Sequence, residues 1–445
     1  MIKDKGAGPP IGRAVTSDVG SLDFLRGNIL VLILTNVIWI FALRMILPFV
    51  PLYALALNAT KPQVGLIQAL RFTAMLLTFP IAGYLTDKLG RIRIIVTSGY
   101  LSSAVYLLLA LAPDWRVIAL GNFLGGLASF SFPALSALTA DSLKPSQRGI
   151  GFAVSMAIPG ILAIPSPYIG GYLVTKYGTV PAMRALYLSL MATNLVVTIL
   201  RMKFLRETID VSRESPVELT ARKIPRLLLD SYKGIAETLR WMPRGLTSLT
   251  AILVLSFFSD AVTSPFWVVY ATEAIGISKL QYGLITLLAG ALNMLLSIPA
   301  GLIVDRVGPK RSMSAAFLLF LLPILYFPHA RDFNTVLVIY LVISLANAFS
   351  VTACQTLLAN LVPRELRGRV MAALGRGMIR INVLWSGGGP AVGFLLSIPL
   401  ALGSLSGGYL YTLNPEAPWV LLTATLTLCL AILLFLLKEP ERPEL

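Results

Sequence analysis

GYLTDKLGRIR at 83–93 recurs as GLIVDRVGPKR at 301–311, 218 residues later, and each copy follows one long apolar segment and precedes another. The correspondence extends outward. Pro48-Phe49 and Tyr53 match Pro265-Phe266 and Tyr270 at a shift of 217, and Arg148-Gly149 matches Arg367-Gly368 at 219. FLRET at 204–208 resembles FLLKEP at 435–440. Repetition of half a chain in membrane-length segments points to two related helical bundles side by side in a bilayer.

Composition agrees. The chain is 56% hydrophobic and only 13% charged, with a mean hydropathy of +0.79, which excludes an ordinary soluble domain. A spanning helix needs about 20 apolar residues. Spans are expected near 28–55, 62–86, 92–112, 115–140, 149–175, 182–204, 246–271, 280–304, 312–328, 333–361, 382–411 and 418–437. The expected fold is therefore an all-α membrane protein of twelve transmembrane helices in two pseudo-symmetric six-helix bundles. The organisation reads as a tail at 1–27, a first bundle at 28–205, a linker at 206–245, a second bundle at 246–437 and a tail at 438–445. Within the linker, Leu228, Tyr232, Ile235 and Leu239 share a helical face that could lie along the membrane surface.

Twelve spans put both termini on one side, and the basic residues say which. Of 37 Lys and Arg, 29 fall on the side of the termini. Six fall on the other side: Lys61, Arg116, Lys176, Arg184, Lys279 and Arg331. The positive-inside rule then makes both termini cytoplasmic, with the protein a multi-pass component of the cell membrane. The net charge of +16 is thereby explained by short loops beside a membrane, with no nucleic-acid partner implied. Residues 1–27 carry no cleavable apolar signal. Both cysteines, Cys354 and Cys429, lie in spans and the one histidine, His329, lies at a helix end, so no disulfide framework, metal site or cofactor is indicated.

Inter-bundle repeats of this kind mark transporters, and the duplicated loop is more specific still. It resembles the signature between helices 2 and 3 of the major facilitator superfamily. The first copy supplies Gly83, Leu85, Asp87, Lys88, Gly90 and Arg91; the second supplies Gly301, Asp305, Arg306 and Gly308. The resemblance covers the chain from about residue 28. It implies alternating access by a monomer, with the loop contacts tightening as the halves close on the cytoplasmic side. The residue chemistry fits: Gly83 would let helices approach closely, and Gly90 would supply a turn that a side chain would strain. Other marks are incomplete. Asn122 stands where many relatives carry a basic residue in helix 4. Ser166-Pro167-Tyr168-Ile169-Gly170-Gly171 resembles the exporter-associated pattern of helix 5 with serine for its first glycine. Pro167, Gly170 and Gly171 are equally a small-residue packing face at a proline kink.

A charge inside a bilayer costs about 2.5–3.5 kcal/mol even on the lenient insertion scale, so each is a functional candidate. The clear cases are Arg44, Arg71 and Asp260, all at similar expected depth. Two arginines against one aspartate would make a positive site suited to an anion; a structural ion pair is the plainer alternative. On helix 10, Ser344, Asn347, Val351 and Gln355 form a polar stripe that would either touch substrate or bond neighbouring helices. Trp39, Phe130, Phe132, Phe258 and Trp267 could line an aromatic wall.

The chain has no phosphate-binding G-x-x-x-x-G-K-[ST] loop and too few nucleophiles or bases at depth for an enzyme. The expectation is secondary transport: export of an amphipathic organic solute or drug, coupled to protons as an antiporter. An organic anion carried by Arg44 and Arg71 is the second reading, and a receptor-like member that has lost transport is the third.

Overall fold

A computed structural model of the chain describes residues 22–209, 242–362 and 393–437, with isolated positions between 363 and 392. The expected surface face at 228–239 and the glycine-rich approach to helix 11 lie outside the described residues. So do both extreme tails.

Twelve helical segments follow one another among the described residues. They are α1 Gly27–Ala56, α2 Lys61–Leu89, α3 Arg91–Ala110, α4 Trp115–Asp141, α5 Pro145–Tyr177 and α6 Thr179–Phe204 in the first half. The second half holds α7 Gly245–Glu273, α8 Lys279–Val307, α9 Pro309–His329, α10 Phe333–Leu361, α11 Ser397–Leu413 and α12 Ala417–Leu436. Among the described residues ten of these are long and apolar enough to cross a membrane. Lys61–Leu89 and Ser397–Leu413 occupy the other two expected places. No strand is present among the described residues.

The duplication reaches into the helix ends, where local sequence sets the structure. Thr60 and Gln63 form a capping box at the start of α2, and Ser278 and Gln281 form the same box at the start of α8, 218 residues on. Each satisfies backbone N–H groups that the first helical turn leaves without partners. Asp114 caps α4 by accepting from the N–H of Arg116 at 2.8 Å; Asp332, again 218 residues later, caps α10 by accepting from Thr335 at 2.9 Å. The Thr335 hydroxyl and amide hold the Asp332 carboxyl below the usual carboxylate range. Gly90 and Gly308 end α2 and α8 at φ of 88° and 96°, a left-handed backbone that a side chain would strain.

Several helices are broken where proline removes a backbone donor. The α5 segment divides into Arg148–Leu162 and Ser166–Tyr177, and α7 divides at Ser264-Pro265. Packing is uneven between the halves. Buried Trp267, Tyr340, Phe327 and Trp419 form a dense aromatic core in the second half, with Trp267 4.5 Å from Phe327 and 5.8 Å from Trp419 between ring centres. Trp267 therefore belongs to that core rather than to an aromatic wall.

Candidate functional site

The two halves meet through α2 with α11, α5 with α8, and the ends of α1 and α7. These contacts gather at the end away from the chain termini, and glycines make them possible. A methyl group on Gly171 of α5 would stand 2.5 Å from the backbone oxygen of Lys279 on α8. One on Gly283 of α8 would stand 2.6 Å from the oxygen of Pro167 on α5. The other seam repeats this. Gly408 of α11 lies against Lys61 and Pro62 of α2, and Gly65 of α2 lies against the carbonyl of Ser404 on α11. Gly65 and Gly283 are 218 apart, as are Lys61 and Lys279. Only glycine permits backbones this close, which is how helices pack without a hydrophobic drive between them.

The neighbouring glycine in each pair faces inward to its own half. Gly170 abuts the backbone of Met45 on α1, and Gly407 abuts that of Val262 on α7. Each double glycine thus ties its helix to one helix of its own half and one of the other. Pro167 and Gly171 thus pack across the seam between halves, and Gly170 packs within the first half. Side chains add to it: Lys61 pairs with Glu273 across the halves, and the Lys279 ammonium donates to the Thr179 hydroxyl at 2.7 Å. Exposed pairs of this kind contribute about 0–1 kcal/mol, so backbone packing dominates. Below the seams, Phe72 and Met75 of α2 pack on Ala261 and Leu400.

The intramembrane charges have different surroundings. In α5 the Ile164 N–H donates to Ile161 at 3.1 Å instead of reaching Gly160, because the helix breaks there. Arg44 of α1 donates to the Gly160 carbonyl at 3.3 Å. Asp260 is buried at 8% exposure, one turn before the α7 break, and its carbonyl accepts from Ser264 at 2.8 Å. Arg71 lies in the first half with Tyr106 and Tyr187 as its electrostatic neighbours. A further cation, Arg201 of α6, escaped the sequence reading because it sits close to a helix end. It donates to Thr35 and Asn36 of α1 at 3.1 and 2.8 Å.

In the polar stripe of α10, Asn347 holds backbone, with Ser350 beside it. The Asn347 amide donates to the carbonyl of Ile381 and accepts from its N–H, both at 2.8 Å, and Ser350 donates to the carbonyl of Ile379 at 2.8 Å. Gln355 is exposed.

The two signature loops differ. Arg91 forms an ion pair with Asp141 at the end of α4, donates to the Thr208 hydroxyl at 2.7 Å and to the Ala137 carbonyl at 3.2 Å. Glu207 caps α3 by accepting from the Ile92 N–H at 3.0 Å, where a carboxylate meets the positive end of the helix. Asn28 of α1 bonds the backbone of Arg206 in both directions. The FLRET segment thus binds α1, α3 and α4 together. In the second loop Asp305 and Arg306 are exposed, while Lys310 donates to the carbonyls of Leu434 and Leu437 at the end of α12. Asp87 lies in the last turn of α2; its side chain is outside the description.

Gly83 differs from expectation. A methyl group there meets no described atom within 4 Å, and one on Gly301 meets only Thr352, at 4.0 Å. The close approach expected of Gly83 is not made with any described residue, and the described seams between halves lie at the opposite end.

The model of the Major Facilitator Superfamily matches residues 32–245 and 249–445. The chain belongs to this superfamily. Among curated proteins it is similar to the multidrug resistance protein MdtG of Citrobacter koseri, 25% identical over 342 residues, covering 74% of this chain and 79% of the relative. The MdtG of Serratia proteamaculans is 26% identical over 345 residues, covering 74% and 78%. Among solved structures the fold is similar to a mutant form of the nucleoside transporter NupG, with TM-score 0.67, 13% identity and coverage of 92% of this chain and 100% of the other. It is likewise similar to the human organic anion transporter MFSD10 (TETRAN), with TM-score 0.62, 18% identity and coverage of 91% and 98%.

Proposed function

We propose that this superfamily member is a secondary transporter that exports amphipathic organic solutes or drugs by alternating access, in exchange for protons, with both termini in the cytoplasm. The observation that carries this reading is the closure at one end. Backbone-to-backbone glycine seams join the halves at the end away from the termini, while a methyl group on Gly83, toward the other end, would meet no described atom within 4 Å. A scaffold packed in this way at one end fits one half of a rocking cycle. Resemblance to proteins named for multidrug resistance supports export of drug-like solutes.

Asp260 is the group best suited to carry the coupling proton, being a carboxylate inside a span and buried in this conformation. The proton affinity of a carboxylate responds to its solvation and to the distance of a cation, so a cycle that alters either can load and unload it. The test is drug accumulation in inside-out vesicles carrying a pH gradient. Asp260→Asn should abolish uphill accumulation while leaving exchange down a solute gradient. Full accumulation by that variant overturns the coupling role, and no flux of any drug by the parent protein overturns the transport reading.

A further inference from the structure

Arg71 stands about midway along α2, ten residues from its first residue, or ~15 Å at ~1.5 Å per residue. Its backbone is fixed. Gly126 of α4 lies against the Arg71 carbonyl and the Ala74 methyl, so α4 holds this turn of α2 in place. The side chain is half-buried. Its neighbours are rings that carry hydroxyl groups: Tyr106 of α3 and Tyr187 of α6, with Trp39 of α1 bonding Tyr106. Among the described residues no carboxylate pairs with Arg71 and no hydrogen bond takes up its guanidinium N–H groups.

One turn away, Gln68 is 5% exposed and its Oε1 has no partner. An orphaned acceptor at Gln68 and a guanidinium without a described counter-charge stand on successive turns of one helix, so a ligand that satisfies both brings a negative group and a hydrogen-bond donor. Buried polar groups are otherwise satisfied, and a cation at this depth without a counter-charge is costly.

We infer that Arg71 and Gln68 form the binding site for a hydroxy acid, an amphipathic aromatic solute with a carboxylate or sulfonate beside a hydroxyl group. The guanidinium offers two parallel N–H donors matched to the anion, and Gln68 Oε1 accepts from the hydroxyl. Tyr106, Tyr187 and Trp39 supply the amphipathic rings beside it, with polar tips for the anion and faces for the solute body. Arg44 donates to the Gly160 carbonyl of the broken α5. The inference rests on the transport reading and narrows its cargo.

The test compares radiolabelled 2-naphthoate with neutral 2-naphthamide, by equilibrium binding to the full chain in phosphatidylcholine nanodiscs, which contain no anionic lipid to compete. The parent protein should bind naphthoate at least tenfold more tightly than naphthamide. Arg71→Gln should shrink that preference to twofold or less, Arg71→Lys should keep part of it, and Gln68→Leu should weaken binding of 3-hydroxy-2-naphthoate several-fold while leaving that of 2-naphthoate unchanged. Equal binding of the two probes by the parent, binding of neither, or an undiminished preference in a folded Arg71 variant overturns the inference. If Arg71→Gln does not fold, Arg71→Lys and Gln68→Leu decide. Ethidium efflux in vesicles is measured separately. Efflux without a naphthoate preference sinks this inference alone, whereas a preference without flux of any solute sinks the transport reading instead.

Discussion

Residues in this chain act mainly by what they let the backbone do. Arg91 illustrates the charged case: it joins the start of α3 to Asp141 and Thr208, so that the first signature loop is tied to α4 and to the segment after α6. Asp87, four residues earlier in the last turn of α2, is the one acid of the first signature loop, and the gating role proposed for it is open to test. Asp87→Asn is expected to leave the protein folded and inserted, because it keeps the size of the side chain and leaves the Arg91–Asp141 ion pair in place. It should slow transport severalfold by weakening closure at the terminal end. Initial efflux rates, normalised to protein in the membrane, check this; a parental rate would remove Asp87 from gating. At this scale the sequence was legible where a residue's role is local. The positive φ of Gly90 and Gly308 follows from the turn itself. Roles that depend on helix rotation were not legible. Asn347 could have faced solute or backbone from the same spacing, and it holds Ile381. Trp267 could have faced a cavity or a core, and it lies in the core.

Helices are the units whose crossings carry the closure. The α5–α8 and α2–α11 seams rest on Gly171, Gly283, Gly65 and Gly408, and a larger side chain has only backbone to push against. Overpacking of this kind costs about 1–3 kcal/mol. Here that cost falls on the far-end-closed form and not on the folded halves. Gly171→Leu is therefore expected to shift the population toward the opposite conformation by about one to two powers of ten. Spin-label distances between the far ends of α5 and α8 should lengthen, and an unchanged distribution would show that the seam yields without parting. These crossings could have been found in the sequence, since Gly65 and Gly283, like Lys61 and Lys279, repeat at the spacing of the signature loops. The repeat was read from its longest motif, and single glycines at the same interval carry little weight until a structure shows what they touch.

For the molecule as a whole, the order of elements and the two-bundle plan follow from apolar run length and duplication, both properties of the sequence alone. Which end is closed does not follow, because one sequence serves every conformation of the cycle. Gly83 makes the difference measurable. Gly83→Leu adds a side chain where no described atom lies within 4 Å, so the far-end-closed form should keep its heat stability in detergent. If α2 must approach the other half there during the cycle, the same substitution should cut turnover at least fivefold. Parental turnover with Gly83→Leu would mean that the terminal end never closes tightly around this position.

The two glycine seams have a mechanical meaning that neither has alone. They are related by the duplication and so stand on opposite sides of the pseudo-twofold axis. One seam would be a door hinge, about which a half could swing and twist. Two of them, far apart and alike, define a fulcrum that resists torsion and leaves tilting as the soft motion. Loosening a single seam would make the opening lopsided, wider on the weakened flank, so solute and small ions could slip past one another in the same half-cycle. In the proposed exchange cycle, matched glycines on both flanks would therefore protect stoichiometry, a property that lives in the balance between the seams and in no residue lining the path.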